Sequence, residues 1–284
     1  MKIRNTLIAL LAIAGSAFVT PAKAAVTFTA GDLILGFRST SSSSVYLVNV
    51  GAATNYRDAT ADITNIVNIN SDLTTAFGAG WTTQADLFWE VAGVRANLTS
   101  AGVVNGDPGQ TVYVSRAEPT VGTQTTAWGV TGQTVSATNL TAAAGKMVTV
   151  QGEFAAATPT SLANATIMPS SGAGSTSWDD TGYSNTWGAF TSTNGGTPEG
   201  NFAAGTAGTA LDLFRVLGTT TGANPTGTLR VGSYEGTFHI DDSGNVGFSV
   251  APNYAAAPEP SRALLLGFGA MGFIFRRRRN TKKA

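Results

Sequence analysis

The 284-residue chain has no cysteine, a single histidine and, between Ala25 and Ala257, a single lysine. Without cysteine there are no disulfides, no thiolate metal sites, no iron–sulfur clusters and no thiol nucleophile. The lone histidine, His239, rules out a multi-histidine zinc site. It also leaves one base for a Ser-His-Asp arrangement, and no G-x-S-x-G elbow nominates a serine partner. Basic residues are scarce too. From Ala25 to Ala257 seven Lys and Arg stand against sixteen Asp and Glu, a net charge of −9, although the whole chain is formally neutral. A stretch so acidic lacks the electrostatic footprint of a nucleic-acid binder. The compensating positive charge sits at the two ends, each beside a short apolar run.

The first run is Leu7–Val19 (LIALLAIAGSAFV), preceded by Lys2 and Arg4 and followed by Pro21 and Ala22-Lys23-Ala24. A basic start, a short apolar centre and an A-x-A ending make a secretory signal peptide over residues 1–24, cleaved between Ala24 and Ala25 by signal peptidase. Thirteen residues, apolar apart from Ser16, fall short of the about 20 that span a bilayer, and a buried N-terminal helix explains fewer of the three parts.

Residues 25–250 are rich in Thr, Ser, Gly, Ala, Asn and Val and poor in Lys and Glu. That composition favours half-buried strands joined by glycine turns. The expected fold is mainly β: a β-sandwich or related antiparallel all-β domain with a short helical insertion. Strands are expected at Gly31–Ser39, Val45–Gly51, Asp86–Ala96, Thr111–Glu118 and Leu211–Gly218, with three more over Thr228–Val250. A turn is expected at Gly106-Asp107-Pro108-Gly109. Ile63, Ile66 and Val67 make Ala61–Phe77 the best helical candidate, with Ser71 capping a short turn that carries Leu73 and Phe77. From about 120 to 210 apolar periodicity fades, and a division of the body into two halves would fall there. The phrases DLFWEVAG and DLFRVLG match without aligned flanks and carry no repeat.

Candidate chemistry is sparse. His239–Phe248 (HIDDSGNVGF) offers Asp241, Asp242 and Asn245 as calcium ligands, but the spacing lacks a distal bidentate carboxylate and reads better as a hairpin turn. No metal and no cofactor are expected. His239, flanked by Phe238 and Ile240, is expected in mid-strand on the face opposite theirs. Asp179-Asp180 or Glu90 would have to serve a glycoside hydrolase. Trp178, Tyr183 and Trp187 could stack against sugar rings, or equally plug a core. GFGAMG (Gly267–Gly272) satisfies G-x-G-x-x-G but lacks the following helix and acid of a dinucleotide site.

The second apolar run closes the chain. After a linker at residues 251–257 come Pro258-Glu259-Pro260, the uncharged run Ala263–Phe275 (ALLLGFGAMGFIF) and Arg276, Arg277, Arg278 and Arg279. Prolines at 258 and 260 keep the triplet extended and outside a helix. Arginines after an apolar segment fix its cytoplasmic end. These three parts in this order resemble the PEP-CTERM sorting signal, here over residues 258–284 with a membrane helix at 263–275. The resemblance implies an exported protein of a Gram-negative bacterium. A membrane exosortase would cleave near the triplet and release or transfer the body, often into an extracellular polysaccharide or biofilm setting. GDLILGFR…VYLVNVG and GTFHIDDSGNVGFSV are similar to stretches of uncharacterised members of that group.

The resulting expectation is a non-enzymatic surface or extracellular-matrix protein, exported across the inner membrane and transiently anchored through its tail. Its expected partners are signal peptidase, exosortase and extracellular polysaccharide. The alternatives are a carbohydrate-binding module or adhesin using the Trp178–Trp187 loop, and a secreted polysaccharide hydrolase.

Overall fold

A computed structural model of the chain describes residues 25–95, 103–117, 135–169, 198–204, 209–218, 229–230 and 232–250. Ala24, Trp178, Asp179, Asp180, Tyr183 and Trp187 lie outside the described residues, as do the Pro258–Pro260 triplet, the 263–275 run and Arg276–Arg279.

In chain order the strands are β1 (Asp32–Ser39), β2 (Ser44–Ala52), β3 (Ile63–Asn68), β4 (Leu87–Val94), β5 (Val103–Val104), β6 (Asp107–Pro108) and β7 (Val112–Arg116). They continue with β8 (Val135–Ser136), β9 (Ala165–Pro169), β10 (Gly200–Asn201), β11 (Ala210–Val216), β12 (Leu229–Arg230), β13 (Gly232–Ile240) and β14 (Asn245–Ser249). Helices are α1 (Ala53–Arg57), α2 (Asn70–Phe77) and α3 (Ala137–Ala156), with single 3-10 turns at Trp81–Thr83 and Phe202–Ala204.

The protein is mainly antiparallel β, as its composition predicts. Ten strands form one sheet in the order β3-β14-β13-β11-β7-β4-β1-β2-β9, with β10 added beside β4. The sheet curls into a half-barrel. Strands from before, within and after the 120–210 stretch share it, because β9 pairs with β2 and β11 with β7.

Period-two alternation assigns side chains to the two faces. Leu33, Leu35 and Phe37 of β1, Tyr46 and Val48 of β2, Trp89 and Val91 of β4, and Phe238 and Phe248 of β13 and β14 fill the inner face. Phe37 and Trp89 stack there with ring centres 6.0 Å apart, and Tyr56 of α1 packs on Phe238 at 4.7 Å. Ile34, Leu47, Ala92, Val94, Val114 and Phe214 point the other way. Helix α3 covers them through Leu140, Ala144, Met147, Val150 and Phe154, a helical stripe at three- and four-residue spacing. Both faces of the sheet are thus occupied, which suits a chain without disulfides. Among the described residues no helix is long and apolar enough to cross a membrane.

Three local expectations are corrected. Ala61–Phe77 is not one helix but strand β3 followed by helix α2. Ile63, Thr64, Ile66 and Val67 are β-branched and stiff at χ1, and β14 offers them a ladder. Ser71 does not cap α2; Ile69 precedes the helix with no side-chain cap. Within the 120–210 stretch, where apolar periodicity fades, lies the twenty-residue α3. The turn expected at Gly106–Gly109 lies earlier, at Asn105-Gly106, whose φ values of 50° and 82° suit a two-residue hairpin, and Asp107-Pro108 is strand β6.

Candidate functional site

At one end of the half-barrel, β1 and β7 begin while β2, β4 and β11 end. Polar side chains from these elements gather there beyond the aromatic core. The Asn105-Gly106 turn presents Asp107, which is 5 % exposed. The Tyr113 hydroxyl donates to Asp107 Oδ2 at 2.9 Å, and Arg215 Nε donates to Oδ1 at 2.7 Å. Tyr113 and Arg215 are a direct cross-strand pair of β7 and β11, so one register places both beside Asp107. Arg57 of α1 brings a second guanidinium, with Nη1 3.2 Å from Oδ1.

Electrostatics follow the geometry. Burial, reinforced by the Asp107 carboxylate, pushes the Tyr113 phenol well above its usual value. The hydrogen bonds from Arg57 hold the exposed Asp58 carboxyl below the usual range. Burial raises Glu235, the extra residue of a bulge in β13, against the opposing effects of Ser233 and Arg215.

Next to this clamp lies a cavity of about 160 Å³, bordered by Asp32, Thr54, Arg95, Asn105, Asp107 and Tyr113 among others. A bulge in β2 stands just before Ala52, which borders the cavity. Between Leu33↔Gly51 and Ile34↔Asn49 the register slips by one residue, leaving Val50 unpaired, and Gly51 takes φ +99°. Glycine makes that conformation accessible. Asn49 Oδ1 accepts from the Gly51 amide at 2.7 Å while its Nδ2 donates to Asp32 Oδ2, also at 2.7 Å. The Thr29 amide donates to the same oxygen at 2.8 Å.

Other candidates fall elsewhere. Glu90 sits on the outer face of β4 with no exposed surface. Asp241 is a turn residue: Oδ1 accepts from the Ser243 and Asn245 amides and Oδ2 from Asn245 Nδ2, each at 2.9 Å. Gly244, at φ +76°, completes that hairpin. Among the described residues no group of three or more metal-ligating side chains occurs. His239 lies on the outer face of β13, as the alternation with Phe238 and Ile240 predicts. Trp81 and Trp89 are core residues.

The Asp32–Asp107 site escapes a sequence reading because its members span residues 32 to 215 on five strands and one helix. Asn105-Gly106 before an aspartate was its only local signal. No protein-family model matches the chain, nor does any curated protein or any solved structure.

Proposed function

We propose that the chain is an exported surface or extracellular-matrix protein whose C-terminal segment is read and cut by a membrane exosortase. Its body then acts outside the cell as a structural, polysaccharide-associated domain. One observation carries the reading: Pro258-Glu259-Pro260, the apolar run Ala263–Phe275 and Arg276–Arg279 follow one another in a chain that opens with Lys2, Arg4 and an apolar Leu7–Val19. A thirteen-residue helix rises only about 20 Å, against about 30 Å of hydrocarbon, which suits a temporary hold better than a permanent anchor.

The body is compatible with this role. It reaches a double-faced core without disulfides, and β14 ends at Ser249, nine positions before the triplet. The curled sheet would be a relative of the β-sandwich, its two limbs facing each other across the aromatic core.

Intact mass of the mature protein from its own bacterium tests the proposal. Wild type should lack everything after the triplet, and Glu259→Ala should retain the arginines. Retention of the tail in both proteins would make this a membrane-tethered domain and end the exosortase reading.

A further inference from the structure

The cavity at the barrel end has a feature that the fold does not use. Asp32 is 7 % exposed, and both of its hydrogen bonds, from Asn49 Nδ2 and the Thr29 amide, fall on Oδ2. Among the described residues Oδ1 receives none, and Asp32 borders the cavity. Oδ1 keeps access to the cavity, and a carboxylate oxygen held there takes its donor from water or a ligand. The side chain is moreover held in place from behind by Asn49, so its direction is set before anything binds.

The surroundings select the donor. Arg95 borders the same cavity, and Arg57 and Arg215 stand behind its wall on Asp107. Arg95 on the same wall penalises an ammonium group at Asp32. An anion would meet the Asp32 and Asp107 carboxylates, while Arg57 and Arg215 are committed to Asp107 and Arg95 is already engaged within the protein. A neutral hydroxyl donor avoids both penalties. The volume of about 160 Å³ holds about five waters, comparable to the space of one small polyhydroxylated ring or chain. Asn105 at the exposed rim and Thr54 of α1 add amide and hydroxyl partners.

We infer that this cavity binds a single neutral polyhydroxylated unit, a sugar residue or polyol, whose hydroxyl donates to Asp32 Oδ1. The site belongs to the body and does not depend on how the tail is processed, so the mass experiment and the binding experiment can fail separately.

Saturation-transfer NMR on the purified full chain tests the inference, with D-glucose, D-galactose and mannitol as neutral probes and ethylammonium and methyl phosphate as charged ones. At least one neutral probe should show saturable transfer. Asp32→Asn keeps an oxygen for Asn49 and Thr29 but turns a donor into the cavity, and should weaken that binding at least tenfold. Ala52→Leu, which fills the cavity from the end of β2, should abolish it and serves in place of Asp32→Asn should that variant fail to fold. Transfer from no neutral probe, transfer only from a charged one, or transfer unchanged in these variants would overturn the inference.

Discussion

Gly247 of β14 lies directly opposite His239 of β13, and a Cβ placed at position 247 would sit 2.4 Å from Cε1 of the imidazole. The only histidine of the chain thus rests on the only kind of residue that leaves room for it. Its ring is half-buried on the outer face, with Asp62 and Asp241 near enough to act on its charge. This is a packing position, and it has two consequences that can be measured.

Gly247→Ala must displace the imidazole or part the two strands. Overpacking of this kind costs about 1–3 kcal/mol. The double variant Gly247→Ala with His239→Ala should recover much of that loss, because the small side chain at 239 removes the clash. Urea denaturation of the two single variants and the double variant checks this.

Burial lowers the His239 pKa in the fold, outweighing the opposing pull of Asp62 and Asp241. The unfolded chain, with an ordinary value of about 6.5, therefore binds the proton more readily than the folded one. Stability from this group is present at neutral pH and is lost as pH falls below about 6.5. The wild type should lose more melting temperature between pH 7.5 and 5.5 than His239→Gln does. Equal losses in the two proteins would show that the ring stays hydrated.

Asp107 joins three elements through a single carboxylate. Asp107→Ala leaves two guanidiniums and the Tyr113 hydroxyl around a vacated acceptor, which should cost about 3–5 kcal/mol. Arg57→Ala should cost less, since Arg215 still satisfies Oδ1 and Arg57 also serves the exposed Asp58. Thermal melts of both variants give the order, and a larger loss for Arg57→Ala would contradict it.

How far the sequence discloses this molecule depends on the range of the forces involved. Strands β1, β2, β4, β13 and β14 are legible because period-two alternation is a local pattern, visible in Leu33-Ile34-Leu35 or Phe238-His239-Ile240. Helix α3 is harder to see: its stripe of Leu140, Ala144, Met147, Val150 and Phe154 is diluted by Thr and Gly, and its stability comes from the sheet it covers. Residues 61–77 mislead because Ile63, Ile66 and Val67 satisfy a helical spacing by number, while their ladder partners lie about 180 residues away on β14. The cavity is the extreme case. Asp32 becomes notable only once Asn49 is known to occupy one of its oxygens, and that depends on a bulge no local pattern announces.

The same logic governs the fork in β4. One edge of that strand is shared: β7 pairs with it from Ala92 to Val94, and β10 pairs with it at Phe88 and Trp89. Val91 falls at the gap, where neither neighbour supplies a backbone carbonyl. Ser115, fully buried, closes it by accepting from the Val91 amide at 2.8 Å and donating to the Pro198 carbonyl at 2.9 Å. Ser115→Ala would strand one buried donor and one buried acceptor, each worth about 1–3 kcal/mol when left unmet. A loss of about 2–4 °C in melting temperature per kcal/mol is expected for a chain of this size. Hydrogen exchange at the Val91 amide should accelerate more than at Gly93, which faces the same edge and whose ladder to Tyr113 survives the change. Unchanged exchange at Val91 would mean that the gap is closed by something other than this hydroxyl.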